Sequence, residues 1–165
     1  MKREELREAQ RPLKERYRED ASSARVTLRA DGELGAEEVA CSVDTGRALL
    51  EAGLHPATGG DGTLACSGDM LLQALVACAG VTLRSVAVNR GLDVSGRVVA
   101  EGDLDFRGTL GVDREAAVGF TAIRLRFELE SDASDEELDA LLETTERYCV
   151  VYQTLAGGVP LELTR

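Results

Sequence analysis

Over most of this chain apolar and polar residues alternate in short runs, but residues 68–90 break that pattern. The stretch GDMLLQALVACAGVTLRSVAVNR carries Met70, Leu71, Leu72, Ala74, Leu75, Val76, Ala77, Cys78, Ala79, Val81 and Leu83 with almost no polar break. It predicts one long helix. A surface helix shows a single apolar stripe at a period of 3.6. This one is apolar nearly all round and therefore needs cover on every side. A domain of this size seldom wraps a lone helix, which points to a second subunit for part of the cover. Ser67 suits the N-cap, Asp69 suits the positive end, and Gly91 suits the first position past the last turn.

The flanking patterns predict the remaining elements. Residues 24–30 alternate Val26 and Leu28 with polar neighbours, as in a half-buried strand. Asp31-Gly32 reads as a hairpin turn, followed by a return strand over 38–43 with Val39, Cys41 and Val43 on one face. Residues 44–67 read as irregular, and a loop that long often borders a site. Strands follow over 94–108 and 120–130. In the second, Phe120, weakly Ala122, and then Ile123, Leu125, Phe127 and Leu129 mark the buried side. Ser134 and Glu137 form a capping box. It opens a helix to about Tyr148, with Leu138, Leu141, Leu142 and Thr145 inward. Cys149, seven residues after Leu142, continues that face. A last strand is expected over 159–163. Residues 2–19 predict a thin amphipathic helix interrupted near Pro12. Together these elements give an α/β (α+β) chain with a single domain over 1–165, of which 1–20 is an N-terminal helical extension.

Composition narrows the function. The 165 residues suffice for one sizeable core. A net charge of −11 disfavours nucleic acid and anionic membrane surfaces as partners. The charged N-terminus does not resemble a secretory signal. The uncharged run 70–83 is shorter than the roughly 20 residues of a membrane span. The expected location is the cytoplasm, where a disulfide is more often catalytic or redox-sensing than structural. Cys41, Cys66, Cys78 and Cys149 show no CxxC spacing, so a zinc ribbon or thioredoxin-type motif is not expected. His55 is the sole histidine and reads as a loop residue ahead of Pro56. No GxGxxG or Walker pattern is present, and no metal or organic cofactor is expected.

The remaining chemistry is that of thiols. The thiolate is the nucleophilic form of cysteine. Cys78 lies deep in its own helix, where the dipole has largely cancelled, and burial among Ala, Val and Leu raises a thiol pKa. A reactive Cys78 therefore needs a cation brought from elsewhere in the fold. Arg25, Arg29, Arg47 and Arg84 are the candidates, Arg84 the poorest because it lies on a different helix face. Two readings of the residues stand side by side. Cys78 and Cys149 are packed as small hydrophobes, or Cys78 is oxidised to a sulfenic acid that Cys149 condenses into a disulfide.

The segments GGDGT at 59–63, SGDMLLQALVACAGVTLRSVA at 67–87 and ERYCVVYQTL at 146–155 resemble the OsmC/Ohr family of osmotically inducible and organic-hydroperoxide-resistance proteins. The late cysteine segment of that family reads CPV, and here it reads Cys149-Val150-Val151. The resemblance spans roughly 24–165. It implies an OsmC-like sandwich: an intertwined homodimer whose long central helices are wrapped by antiparallel sheets. It also implies Cys78 as the peroxidatic thiol, Cys149 as the resolving thiol, and an Arg oriented by an acid beside the thiolate. Arg29 is the nearest counterpart of that Arg, with Arg47 in reserve. Asp69 stands near the family's Glu and is one methylene shorter. The chain is similar to the OsmC-like branch more than to the organic hydroperoxidases.

The resemblance thus implies a thiol-dependent peroxidase that reduces organic hydroperoxides and is recycled by a cellular dithiol. The alternative is a non-catalytic OsmC-like dimer binding an apolar small molecule at the subunit interface. A third possibility is redox sensing through Cys66 in the loop.

Overall fold

The computed structural model describes residues 31–34, 40–44, 49–111 and 113–165, together with Arg3, Glu4, Glu8, Arg11 and Glu19. Those five N-terminal residues are helical and exposed. The rest of the expected N-terminal helix and the strand at 24–30 lie outside the described residues.

The first sheet contains β1 (Asp31–Leu34), β2 (Ala40–Asp44), β3 (Leu49–Gly53) and β4 (Ala65–Cys66), in that order. β1 and β2 are antiparallel with Asp31 opposite Asp44 and Leu34 opposite Cys41. Asp31 and Gly32 are therefore strand residues and not the expected turn, and the connection falls at 35–39. β3 pairs antiparallel with β2 and parallel with β4. The expected irregular stretch 44–67 thus hides two strands. Two features organise its remainder. A 3-10 turn (Pro56–Thr58) is capped by His55, whose Nδ1 accepts from the Ala57 N–H at 3.0 Å and whose ring stacks on Phe106 at 5.0 Å. Asp61 then accepts from the N–H and hydroxyl of Thr63 at 2.9 and 2.6 Å, a local Asx turn.

The long helix, α1 (Ser67–Arg90), begins one residue earlier than expected, with Ser67 inside it. By length and composition alone it could cross a membrane, as can the central helix of a globular fold. It ends as predicted at Gly91. The Gly91 N–H bonds the Val88 carbonyl at 3.2 Å and the Leu92 N–H bonds the Ala87 carbonyl at 2.9 Å. Gly91 takes a φ of 76°, a left-handed conformation that costs glycine little.

β5 (Ser95–Leu104) and β6 (Phe120–Glu130) form a second, two-stranded sheet. Its strands run in opposite directions: Gly96 abuts the Glu128 carbonyl, while Thr121 donates to the Asp103 carbonyl at 3.1 Å. The short helix α2 (Phe106–Thr109) follows β5, capped by the Asp105 carboxylate. It replaces the end of the expected strand. On β6, Phe120, Ile123, Leu125, Phe127 and Leu129 are half-buried as predicted, whereas Ala122 is exposed. α3 (Asp135–Tyr148) carries the full predicted capping box of Ser134 and Glu137. A further helix, α4 (Val150–Gly157), follows directly. Residues 158–165 are not a strand; Leu161 and Leu163 are fully exposed. Among the described residues no strand is hydrogen-bonded to them, and an isolated strand leaves its backbone groups to water.

The chain divides into two compact units. One comprises residues 28–74 and 100–125, with the four-stranded sheet, the first turns of α1 and the α2 region. The other comprises 1–27, 75–99 and 126–165. In this second unit Leu83 and Ala87 of α1 meet Val94 and Leu141, surrounded by Val86, Leu92, Phe127, Leu129, Leu138 and Leu142. Both thiols of interest belong to this unit.

Candidate functional site

Cys78 sits on α1 one helical turn before Thr82, a spacing that places the two on the same face. Cys149 is the joint between two helices. It is the C-cap of α3, its N–H bonding the Thr145 carbonyl at 2.9 Å. It is also the N-cap of α4, its carbonyl accepting from the Gln153 N–H at 2.9 Å. Its extended backbone, φ −75° and ψ 106°, turns the chain from one helix into the other. Its side chain is 1% exposed, on the inward face the α3 periodicity predicts.

The structure brings the two thiols close enough that each shifts the ionisation of the other. Both are free cysteines. Burial alone pushes the Cys78 thiol up. It is outweighed by the Val151 N–H, the Cys149 thiol, the Val150 N–H and the Thr82 hydroxyl, which together hold Cys78 below the ordinary cysteine range. The balance at Cys149 is the reverse. Burial pushes its thiol up, the Tyr152 N–H opposes this, and the adjacent Cys78 adds to the rise. The pair is therefore polarised in direction: the Cys78 thiol is held below the ordinary cysteine range and the Cys149 thiol above it.

The donors on Cys78 are the first amides of α4. The leading N–H groups of any helix have no partner within it and carry its positive pole. Here no side chain caps them. α4 is held on α3 through Glu146: the Gln153 side-chain amide donates to the Glu146 carbonyl at 3.0 Å. Burial pushes the Tyr152 phenol up, and the Glu146 carboxylate that it hydrogen-bonds adds to this.

Among the described residues, the largest influences on Cys78 are burial and these hydrogen bonds. Arg29 and Arg47, like Arg25, lie outside the described residues. Arg84 is exposed and donates to the Val94 carbonyl. Asp69 is exposed in the first turn of α1. Nine positions before Cys78, it stands about 13.5 Å further up the axis and half a turn around it, so it can act on the thiol only through another group. Cys66 is half-buried in β4 and not in an exposed loop. It belongs to the other compact unit. The helical nature of 150–157 was missed because a short, mostly apolar segment of eight residues reads equally as a strand. Its stop signal, Gly157-Gly158, was the available clue.

A sequence model of the family described as "OsmC-like protein" matches residues 60–164. No curated protein is recognisably similar in sequence. Among solved structures, an OsmC-like protein from Mycoplasma pneumoniae superposes with a TM-score of 0.67 at 17% identity, covering 81% of this chain and 89% of that one. An organic hydroperoxide resistance protein OsmC from Legionella pneumophila gives 0.59 at 19% identity, covering 82% and 93%. The organic hydroperoxide resistance protein OhrB of Bacillus subtilis gives 0.51 at 18% identity, covering 81% and 93%. The mixed α/β fold with its long helix and largely antiparallel sheets is the fold of these proteins. The match over residues 60–164, which hold the glycine loop, α1 and both thiols, shows that this chain belongs to the OsmC/Ohr family.

Proposed function

We propose that this protein is a cytoplasmic, thiol-dependent peroxidase acting on organic hydroperoxides. The observation that carries the reading is the polarised Cys78–Cys149 pair, in a family whose structural neighbours include hydroperoxide-resistance proteins. The Cys78 thiolate attacks a peroxide oxygen, the O–O bond breaks, and the alkoxide leaves as the alcohol after taking a proton. Cys78 becomes a sulfenic acid. The Cys149 thiol displaces its oxygen as water and closes the disulfide. An external cellular dithiol supplies the two electrons that restore both thiols. Arg29, or Arg47, oriented by an acid such as Asp69, is the proposed cation for the leaving alkoxide. The working unit is a homodimer: Leu71 and Val81 on α1 are exposed in the single chain, and a second copy would cover them. The single domain spans the whole chain in this reading.

The test is the intact mass and free-thiol count of the reduced protein before and after stoichiometric cumene hydroperoxide, beside Cys78→Ser. Rapid loss of two thiols with a mapped Cys78–Cys149 bond, absent in the variant, is the expected result. Thiols that survive prolonged exposure would retire the mechanism in favour of a non-catalytic dimer binding an apolar ligand. The polarised pair also sets a pH dependence. Alkylation of Cys78 should reach half its plateau rate below the ordinary cysteine pKa, and that of Cys149 above it. Peptide mapping after timed alkylation across pH 5–10 measures both, and the opposite order would reverse the roles assigned to the two thiols.

A further inference from the structure

A cavity of about 190 Å³ lies between α1, the start of β5 and the end of β6. Leu83, Val94, Val98 and Leu129 form its apolar walls. Among the described residues its charged lining is Arg84 and Arg97, with no carboxylate. All of these belong to one compact unit. The chain carries 30 acidic residues against 19 Lys and Arg, so a cavity with two arginines and no acid runs against the composition. We propose that this cavity binds a small carboxylate with an apolar body. The ring or short alkyl chain lies among the four apolar side chains, and the charge is held by the Arg84 guanidinium.

Gly80 also lines the cavity, and the packing of the chain does not require a glycine there. A Cβ on it would meet only a Val98 methyl carbon at 3.8 Å, an ordinary contact. An interior helical glycine costs stability relative to alanine, and what its missing side chain leaves is the gap between α1 and β5. The volume is similar to the roughly 150 Å³ of an apolar cavity that takes benzene. The two arginines differ. Arg97 is already paired with Glu128. Arg84 donates from one nitrogen to the Val94 carbonyl and has no acid partner among the described residues. That bond holds the planar guanidinium in place and leaves its other donors for a carboxylate, whose geometry they match. Asp93 and Glu130, each one residue from the lining, line a separate hollow. At about 100° per residue, Gly80 and Arg84 lie roughly 200° and 240° around α1 from Cys78, whereas Leu71 and Val81 fall within about 60° of it. A second copy covering Leu71 and Val81 would therefore leave the cavity open, and the site uses no thiol.

The experiment is an NMR titration of the 15N-labelled, full-length reduced protein with sodium benzoate and, separately, with uncharged benzyl alcohol, at constant ionic strength. Saturable shifts of the Gly80, Arg84 and Val98 amides at millimolar benzoate are expected, the affinity that so small a ligand can reach. Arg84→Gln removes the charge at an exposed position. It should weaken benzoate about tenfold and leave benzyl alcohol unchanged. Gly80→Val fills the gap and should weaken both probes severalfold. The arginine variant keeps the test decisive if the valine variant does not fold. Cys78→Ser should bind benzoate as wild type does. Benzoate shifts that never saturate, or that centre on other residues, would overturn the proposal. So would an Arg84→Gln protein that binds benzoate as tightly as wild type, or loss of binding in Cys78→Ser, which would place the ligand at the thiol.

Discussion

α1 and α3 are both long helices of one chain, and they meet in the same core, yet their surroundings differ. α3 is amphipathic. Leu141 and Thr145 are buried, Leu138 and Leu142 half-buried, and its opposite face is acidic and wet. The leucines of α3 are covered by their own chain, and only Tyr148 at its last position is an exposed large apolar side chain. α1 is apolar nearly all round, but only the stripe Leu75, Ala79, Leu83 and Ala87 is buried. Val81, near the middle of that helix, is 72% exposed. An exposed apolar helix face of this kind marks an interaction surface. The comparison teaches that the amphipathic pattern specifies a helix whose apolar stripe its own chain covers, whereas the all-round pattern leaves Leu71 and Val81 exposed in the single chain. It is also α1 that carries Cys78, so the thiol lies on the helix with the unfinished surroundings.

The contrast can be broken at several points. The largest effect is expected from Leu141→Ala. This side chain is fully buried in the shared core, and its truncation should cost about 2–5 kcal/mol in urea unfolding. Next comes the stop of α1. Gly91→Ala places a Cβ on a residue at φ 76°, and a loss of about 1–2 kcal/mol is expected. A loss near zero would mean that the helix end relaxes into another cap. Ser134→Ala removes the start of α3, where the serine hydroxyl accepts from the Glu137 N–H at 3.3 Å. About 1 kcal/mol should be lost, read as a lower thermal midpoint. The smallest effect on stability belongs to Val81→Ser, within about 0.5 kcal/mol for the dissociated chain. Its effect should appear in sedimentation, as weaker self-association at micromolar concentration. If Val81→Ser instead unfolds the chain as severely as Leu141→Ala, that face of α1 is covered from within and the contrast is wrong.

Much of the architecture was legible because it depends on local periodicity. The capping box of Ser134, the stop at Gly91 and the boundaries of β6 are short-range consequences of side-chain chemistry and backbone freedom. The inward direction of Cys149 followed from seven-residue spacing on α3. What misled was equally local. Asp31-Gly32 has the residues of a hairpin turn but lies in β1, because pairing with Val43 and Asp44 takes precedence over turn preference. The segment 159–163 has the alternation of a strand but no strand partner among the described residues, and alternation alone does not make a sheet.

By itself, then, the sequence determined the long helix α1, the capped start of α3 and the strand β6, which of their faces are apolar, that α1 cannot be satisfied by a narrow stripe, and which thiols are candidates for chemistry. Only the tertiary structure decided that Cys78 and Cys149 lie close enough for each to shift the other's ionisation, and that amides of α4 are among the groups that lower the Cys78 pKa. The physical reason is that periodicity is encoded over three or four neighbouring residues. The environment of a sulfur atom is assembled from helices distant in sequence, and backbone N–H groups, present at nearly every residue, leave no mark in the sequence of where they point.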